Sequence, residues 1–404
     1  MGRSIFSFTL FKACMLIITT IYSSNALAET APEQWTCESE NAVITSEYDG
    51  GGMGRCNTFV PSIFRIVLEA EPGERFNTPW YGFKVTNKVK TPLVVDLIYA
   101  NGEHRFKPKI SFDGKTWKLL ERGAYRDVDG KRVQFFLPAS DKPFYISAQE
   151  NINNAVYEEW MDGLISKGWV KKTLLGVSEK DRPIYKIQSE SDLNTGKYLF
   201  LIGRQHPAEV PGAFAMMEFV DTLYSDTPLA QRFRKVYGIV SVPQTNPDGV
   251  AHGHWRNNTG AIDLNWDWTE FTQAETAVVG KEIAKFTGDK TLELFIDFHA
   301  TAEPIFYTQD GKQHEWPSNF TRNWMAGLNA RLSRYDYSHN KLDYQSRNPT
   351  STEASSATRY AFNATGATTL VYETEEETSP QDARQIAHVV AEEMMRVLLA
   401  SGTN

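Results

Sequence analysis

The chain has 404 residues, a formal net charge of −8 and 41% hydrophobic residues. This length exceeds that of one average domain, so two domains are predicted. The hydrophobic content is ample for buried cores and argues against a disordered chain. The excess of acidic charge disfavours nucleic acids and anionic membrane surfaces as partners.

Residues 1–28 have the pattern of a secretory signal peptide. Arg3 and Lys12 are its only charged residues, and an apolar run follows that ends in the small-x-small cleavage pattern ALA. A membrane anchor is the alternative, but the run is short for a bilayer span. We expect cleavage after Ala28 and a secreted or periplasmic protein without stable membrane insertion. Because the segment carries two positive charges, cleavage would change the formal net charge from −8 to −10.

The cysteines point to one disulfide. Cys14 lies in the predicted signal peptide, so the mature chain retains Cys37 and Cys56. An even pair in an oxidising compartment predicts a bond between them, and two unpaired thiols are the alternative. Both lie far from the chemical motifs described below, so we expect a structural role.

Residues 29–150 are predicted to form a small antiparallel β-domain, a sandwich or barrel. Segments such as PWYGFKVTN, TPLVVDLIYA and VQFFLPAS are rich in strand-forming residues. Asp113-Gly114 lies between two alternating segments, which is a strong hairpin signal.

Residues 151–404 alternate between strands and helices. The strand patterns KYLFLIG, VYGIVSV, LELFIDF and TTLVY are each followed by a helical pattern. This alternation predicts an α/β domain with a mixed, mostly parallel sheet flanked by helices. In such sheets the active site lies at the carboxyl ends of the strands.

Three residues of types that bind metal ions lie at or shortly after the ends of such strands. His206 comes just after KYLFLIG, and Glu209 follows at the start of the next helix. His299 ends LELFIDFHA, with Asp297 expected on the opposite face of the strand. Two histidines and one glutamate are the zinc ligands of carboxypeptidase A, which leave a fourth position for water. Alone, His299 would be read as a hydrogen-bonded core histidine. Together, the three residues predict one zinc ion per chain.

A candidate base follows the last strand. Glu373 ends LVYE, and a carboxylate at the end of a buried strand needs a partner or a function. The alternative to a role as general base is that Glu373 forms a local cap or a local pair. Glu375, Glu376 and Glu377 compete for the role, but the strand would present Glu373 to the edge that bears the ligands.

Between the ligands lies a polar loop region that contains Arg256 and two further histidines. His252 and His254 could bind metal, but loop histidines are usually solvated, so they are not included in the predicted site. Arg256 follows an aromatic residue in the loop.

These motifs, HPAE, NPDG, HWRNN, IDLNWDW, DFHA and LVYE, occur in that order between residues 155 and 400. In this respect the chain resembles the zinc carboxypeptidases of the M14 type, and most of all their bacterial and cytosolic-type branch, which carries a leading β-domain. The segment that contains WYGFKVTN and KPKISFDGKTW is similar in character to that domain.

The resemblance implies a role for each matching residue. His206, Glu209 and His299 fall on the family's zinc ligands, and Glu373 falls on its catalytic glutamate. Arg256 matches the arginine that polarises the scissile carbonyl. Asn265 matches the asparagine that helps to bind the substrate's terminal carboxylate.

The chain departs from the family beside that asparagine. Trp266 stands where the family has the arginine that clamps the carboxylate, and indole offers one N–H donor and no positive charge. Arg347 and Arg359 are candidates to replace it, and Arg359 is favoured because it lies closer to the strand that carries Glu373. The family's tyrosine near the glutamate could be Tyr344 or Tyr360.

The predicted reaction is hydrolysis of a peptide bond. Zinc acidifies a water molecule, Glu373 takes its proton, and Arg256 with zinc stabilises the oxyanion. The substrate would be a peptide or peptide-like molecule. One alternative is a zinc amidase or endopeptidase acting on cell-wall peptides, because the carboxylate clamp is replaced. Another is a zinc-binding module without turnover, which the retention of Glu373 and Arg256 argues against.

Overall fold

The structure is a computed structural model. It describes residues 35–71, 73, 80–189, 196–288, 291–309, 315–332, 343–347 and 356–401. The predicted signal peptide and Cys14 lie outside these residues. The described residues pack as one compact unit. Within the described ranges, no helix combines the length and the apolar run that crossing a bilayer requires.

Two sheets precede residue 150 in the described part of the chain. Their strands are β1 (Thr36–Glu38), β2 (Ala42–Thr45), β3 (Arg55–Val60), β4 (Ile63–Leu68), β5 (Gly82–Asn87), β6 (Leu93–Tyr99), β7 (Lys109–Ser111), β8 (Lys118–Leu119), β9 (Tyr125–Asp127), β10 (Arg132–Leu137) and β11 (Phe144–Ser147). The strand orders are β1-β2-β5-β11-β7-β8 and β3-β4-β6-β10-β9. The predicted antiparallel β-region is confirmed, with one parallel pair between β4 and β6.

Alternating side chains hold the two sheets together. Phe64, Phe83, Val95 and Phe135 are fully buried in a shared core, as expected when each sheet has one inner face. A disulfide joins Cys37 on β1 to Cys56 on β3, with their Cα atoms 6.0 Å apart. The predicted cysteine pair is thus present in the structure, and it links one sheet to the other.

The predicted hairpin at Asp113-Gly114 joins β7 to β8, which pair antiparallel. Its loop is longer than a two-residue turn. The Asp113 carboxylate closes the loop by accepting hydrogen bonds from the backbone N–H groups of Lys115, at 2.8 Å, and Thr116, at 2.6 Å. Gly114 adopts a positive φ of 72°, a backbone conformation that glycine reaches without steric cost.

A cluster of side-chain ion pairs on the second sheet allows the stability of this region to be tested. Asp96 on β6 is 3% exposed and accepts hydrogen bonds from Arg65, at 3.0 Å, and Arg132, at 2.6 Å. Burial favours the neutral acid, but the two guanidinium groups outweigh it and lower the pKa of Asp96. The ion cluster therefore contributes stability above the unfolded-state pKa, and the contribution is lost as pH falls through the folded-state pKa.

We expect Asp96→Asn to lower the free energy of unfolding at pH 7 by about 1–2 kcal/mol, since both arginines are partly solvated. The difference from the parent should shrink as the solution is acidified below pH 4. Urea unfolding across this pH range measures both effects. Asp141→Asn is the control, because the Asp141 side chain is 75% exposed and pairs with Lys90 at the surface. Equal losses in the two variants would contradict the expectation.

After residue 150 the chain forms one mixed sheet with helices on both faces. Its elements are α1 (Asn154–Ser166), β12 (Val170–Val177), β13 (Pro183–Ser189), β14 (Lys197–Gly203), α2 (Val210–Leu223), α3 (Pro228–Arg234), β15 (Gly238–Val242), α4 (Pro247–His252), α5 (Ala274–Ile283), β16 (Thr291–Thr301), β17 (Ile305–Gln309), α6 (Phe320–Leu332), β18 (Asp343–Arg347), α7 (Ala357–Thr365), β19 (Thr368–Glu375) and α8 (Pro380–Ser401). The strand order is β12-β13-β15-β14-β16-β19-β17-β18.

The centre of this sheet is parallel, as predicted. Strands β15, β14, β16 and β19 run in the same direction, and antiparallel pairings occur towards both edges. Leu199 and Leu201 of β14 pack in the core that contains α2 and α8, whereas Phe200 and Ile202 pack in the core that contains α5 and α7. The carboxyl ends of β14, β16 and β19 therefore lie side by side.

Candidate active site

A tight turn after β14 carries the first two candidate ligands. Arg204 begins the turn at a φ of +56°, a conformation that is costly for a residue with a Cβ. Its buried side chain donates a hydrogen bond from Nε to the carbonyl of Pro207, at 2.8 Å, which holds the turn closed. His206 lies within the turn, and Glu209 immediately precedes α2.

His299 reaches the same place from β16, the strand next to β14. Helix α2 packs directly against the backbone of His299. A Cβ at Gly212 in α2 would lie 2.6 Å from the carbonyl oxygen of His299. Glycine is therefore required at position 212 for this approach, and the approach brings His299 to Glu209.

The three side chains form a compact cluster. Glu209 contacts His206 Nδ1 through Oε1, at 2.7 Å, and His299 Nδ1 through Oε2, at 2.8 Å. One ligand atom from each residue lies within 4.8 Å of the other two, and both histidines are buried. Two imidazole nitrogens and a carboxylate that converge in this way could hold a metal ion.

A second layer of carboxylates orients the imidazole rings. Asp263 contacts Nε2 of His206 at 3.0 Å, and Asp297 contacts Nε2 of His299 at 3.0 Å. Metal-binding histidines usually have their second nitrogen held by such a group, because this fixes the tautomer and the ring orientation. The expectation for Asp297 was wrong. Residues two apart in a strand share a face, so Asp297 lies on the same side as His299.

The carboxylates give this cluster an excess of negative charge. Burial lowers the pKa of His206 and of His299, but the adjacent carboxylates outweigh burial and raise both. Burial raises the pKa of Glu209, but the two imidazoles outweigh it and lower that pKa. Without a metal, the histidines are therefore stabilised as cations. When the histidines are neutral, a bound divalent cation would supply the positive charge that balances the carboxylates.

Glu373 lies beside the cluster. The parallel register of β16 and β19 pairs His299 with Glu373. Oε2 of Glu373 is buried and has no hydrogen-bond partner among the described residues. Burial, aided by the negative charges of Glu209 and Asp297, raises the pKa of Glu373 to about 7. A buried carboxylate with an unsatisfied oxygen next to candidate metal ligands is typical of a functional group.

The candidate ligands and Glu373 face one cavity of about 450 Å³. Its lining includes the three candidate ligands and Glu373. Arg256, Asn265, Trp266 and Arg359 also line it. Arg256 donates a hydrogen bond from Nε to Asp263, at 2.6 Å, so one carboxylate contacts both this arginine and His206.

Comparison with known proteins shows which family has this arrangement. The family model described as zinc carboxypeptidase, peptidase M14, matches residues 157–396, more than half of the chain. The chain belongs to the zinc carboxypeptidase family. Members of this family are metal-dependent peptidases, so the protein is a hydrolase of the metallocarboxypeptidase type, as predicted.

Curated relatives include two cytosolic carboxypeptidases. Cytosolic carboxypeptidase 6 of Caenorhabditis elegans is 28% identical over 328 residues, which cover 74% of this chain and 71% of that protein. Cytosolic carboxypeptidase 6 of Mus musculus is 31% identical over 284 residues, which cover 63% of this chain and 52% of that protein. The chain thus spans about half the length of the mouse relative.

Solved bacterial structures share the fold. A putative carboxypeptidase A from Shewanella denitrificans aligns with a TM-score of 0.72 and 17% identity, over 88% of this chain and 99% of that one. A metallo-carboxypeptidase from Pseudomonas aeruginosa, in complex with (2-guanidinoethylmercapto)succinic acid, aligns with a TM-score of 0.68 and 20% identity, over 89% and 99%. Because these alignments span nearly the whole chain, the zinc carboxypeptidase fold is present here together with the preceding β-region.

Several residues considered in the sequence lie elsewhere. Tyr360 donates a hydrogen bond to the carbonyl of Gly280, at 3.1 Å, and packs against Trp268 and Phe271. His254 is buried, not solvated, and its Nδ1 contacts the carbonyl of Asn257 at 3.0 Å. The side chains of Tyr344 and Arg347 lie outside the described residues.

The structure also adds residues that the sequence analysis did not single out. Asp263 is the shared partner of His206 and Arg256, and Tyr307 on β17 lines the cavity. Arg105, from the β-region, lines the cavity as well. Asp263 stands in the IDLNWDW motif, so the motif was a signal for it. Nothing in the local pattern around Arg105 indicates that it approaches the site.

Proposed function

We propose that the protein is a zinc-dependent carboxypeptidase that hydrolyses the last peptide bond of a peptide or peptide-like substrate. The observation that carries the proposal is the convergence of His206, Glu209 and His299 beside a buried carboxylate, Glu373. A cavity open to all four groups gives a substrate access to them.

Zinc fits this cluster. The ligand set matches that of catalytic zinc sites with three protein ligands, and each histidine is held through its second nitrogen by a carboxylate. Bound there, zinc would supply Lewis acidity and lower the pKa of a coordinated water molecule. The clustered negative charge favours a dication on electrostatic grounds.

Glu373 is proposed as the general base. In the metal-free protein its pKa is raised to about 7, and its carboxylate can accept a proton from the attacking water and later donate it to the leaving amine. Its Oε2 accepts no hydrogen bond among the described residues, so no such bond has to break before it accepts that proton.

Arg256 is proposed to polarise the scissile carbonyl and to stabilise the oxyanion that develops from it. Its hydrogen bond to Asp263 holds the guanidinium at the cavity wall. One donor of this kind is typically worth about 2.7–4 kcal/mol of activation free energy.

Asn265 and Arg359 are proposed to bind the terminal carboxylate of the substrate. Oδ1 of Asn265 accepts a hydrogen bond from the backbone N–H of Ala357, at 3.4 Å, and Ala357 begins α7 two residues before Arg359. Asn265 and Arg359 both line the cavity, and this contact lies two residues from Arg359. Trp266 also lines the cavity, and its side chain is 58% exposed.

A matched pair of peptides tests this assignment, one with a free carboxyl terminus and one amidated. We expect the parent enzyme to prefer the free acid, and Arg359→Ala to lower kcat/KM for the free acid by roughly 10- to 100-fold, the loss of a charge-assisted hydrogen bond. Cleavage of the amidated peptide should change little. Mass spectrometry of the products measures both rates.

Arg322→Ala, at an exposed position of α6, is the control and should behave as the parent. A free-acid preference that survives both Arg359→Ala and Arg347→Ala would refute replacement of the clamp by either arginine. Similar rates on both peptides in the parent would favour the amidase or endopeptidase alternative. Trp266→Arg should shift the preference towards the free acid.

Export is part of the same proposal. The Cys37–Cys56 disulfide supports a secreted or periplasmic protein, because such bonds are rare in a reducing cytosol. The named relatives are cytosolic carboxypeptidases, which points the other way. Sequencing the amino terminus of the mature protein, expected near Glu29, decides between the two.

A further inference from the structure

The β-region makes a close contact with the loop that carries Arg256. Glu71 follows β4, is 7% exposed, and points its carboxylate at this loop. Oε1 accepts hydrogen bonds from the backbone N–H groups of Arg256, at 2.9 Å, and Asn257, at 2.6 Å. Oε2 accepts one from the N–H of Trp255, at 2.5 Å.

Three consecutive backbone donors on one carboxylate fix the path of the main chain. Leaving a carboxylate buried is costly unless donors replace its lost hydration. Charge-assisted hydrogen bonds to backbone N–H groups are stronger than neutral ones, so this contact favours one conformation of residues 255–257. Arg256 stands in the middle of that segment.

A second contact from the β-region supports the same segment. Arg105 lies over the ring of Trp255, with 5.1 Å from the guanidinium carbon to the ring centroid, and Phe106 packs against that ring at 6.0 Å. Arg105 also pairs with Glu376, at 2.6 Å, just beyond the strand that carries Glu373. The β-region thus touches the Arg256 loop through two separate contacts.

We infer that Glu71 is a positioning residue for Arg256, and that through it the leading β-region builds part of the active site. Glu71 holds the backbone of Arg256, and Asp263 holds its side chain. This inference rests on the proposed role of Arg256. Misplacement of a catalytic group by about 1 Å can cost roughly 10²-fold in rate, so a backbone anchor at that residue affects turnover directly.

A double-mutant cycle between Glu71 and Arg256 tests the inference. In Glu71→Gln, the amide NH₂ would face backbone N–H donors, and the segment should lose its fixed path. We expect kcat to fall by roughly 10- to 100-fold with little change in KM. Arg256→Ala should lower kcat by roughly 10²- to 10³-fold. In the Arg256→Ala background, Glu71→Gln should cost less than about twofold, because the residue it positions is gone.

Glu69→Gln is the matched control, since Glu69 lies two residues earlier and pairs with Arg55 at the surface. It should retain the parent kcat. Glu71→Asp, which keeps the charge and shortens the side chain, is run through the same cycle. Glu71→Asp should recover part of the kcat that Glu71→Gln loses. It also takes the place of Glu71→Gln in the cycle if that variant does not fold. Zinc content and urea unfolding are measured on every variant.

The possible results separate the inference from the proposed function. If the Glu71 substitutions reduce kcat by the same factor with and without Arg256, Glu71 is structural and the inference is overturned. Parent-like turnover of Glu71→Gln would overturn it too. If Arg256→Ala keeps the parent kcat, the proposed role of Arg256 is wrong and the inference falls with it.

Discussion

His299→Ala is expected to release the metal and abolish hydrolysis. The substitution removes one of three ligand side chains. It also leaves the buried carboxylate of Asp297 without the imidazole of His299, which it contacts. Loss of a residue that only hydrogen-bonds to a metal ligand typically costs 10- to 100-fold in metal affinity. Loss of a ligand itself should therefore cost more than roughly 100-fold. His206→Ala should act in the same way, because Glu209 bridges the two histidines.

Zinc content after dialysis, and the dissociation constant from competition with a chelator, measure the effect without relying on turnover. The parent should hold about one zinc per chain, as expected for one three-ligand site. His388→Ala is the control, since this histidine lies on α8 and contacts Glu218 and Glu392. Full zinc occupancy in His299→Ala would exclude the proposed ligand set.

Glu373→Gln is expected to keep the zinc and lose turnover. Glutamine has nearly the same shape but accepts no proton near neutral pH, so a base would be removed while the ligands stay in place. General base catalysis typically contributes 10²- to 10⁴-fold, and kcat should fall within that range. In the metal-free protein Glu373 has a pKa of about 7, and a bound dication would lower it. In the parent, kcat/KM should therefore fall on the acidic side, at a pH at or below 7.

Glu377→Gln is the matched control for this variant. Glu377 lies four residues later and pairs with Lys107, at 2.9 Å. It should keep the parent kcat and the parent pH profile. A Glu373→Gln enzyme as active as the parent would falsify the assignment of the base, and Glu376, which also lines the cavity, would be tested next.

The chain order of strands and motifs predicts much of the site. His206 follows β14 and His299 lies near the carboxyl end of β16, and neighbouring parallel strands present their carboxyl ends at one edge. The sequence could therefore predict that the two histidines and Glu209 lie together. It could also favour Glu373 over the three glutamates that follow, because it ends the strand TTLVY. The β16–β19 register then set Glu373 directly beside His299.

Strand periodicity also predicts the contact between Asp297 and His299, contrary to the expectation that they lie on opposite faces. Side chains at i and i+2 point to the same face, so Asp297 could have been assigned to His299 from the sequence. The hairpin at Asp113-Gly114 was predictable because its signal is local. The same holds for the β-region as a whole, where alternating apolar residues indicate one inner face.

Other parts of the site depend on tertiary structure. Glu71 and Arg105 precede Trp255 and Arg256 by about 150 residues or more, and no local pattern links them. Their contacts follow from how the β-region packs against the loop before α5, which is set by the shape and charge of both surfaces. Tyr360 was a substrate candidate by position, but the rotation of α7 turns it towards Phe271 and Gly280. Spacing along the chain thus determined which groups share a sheet edge, whereas packing between distant segments decided which side chains support them.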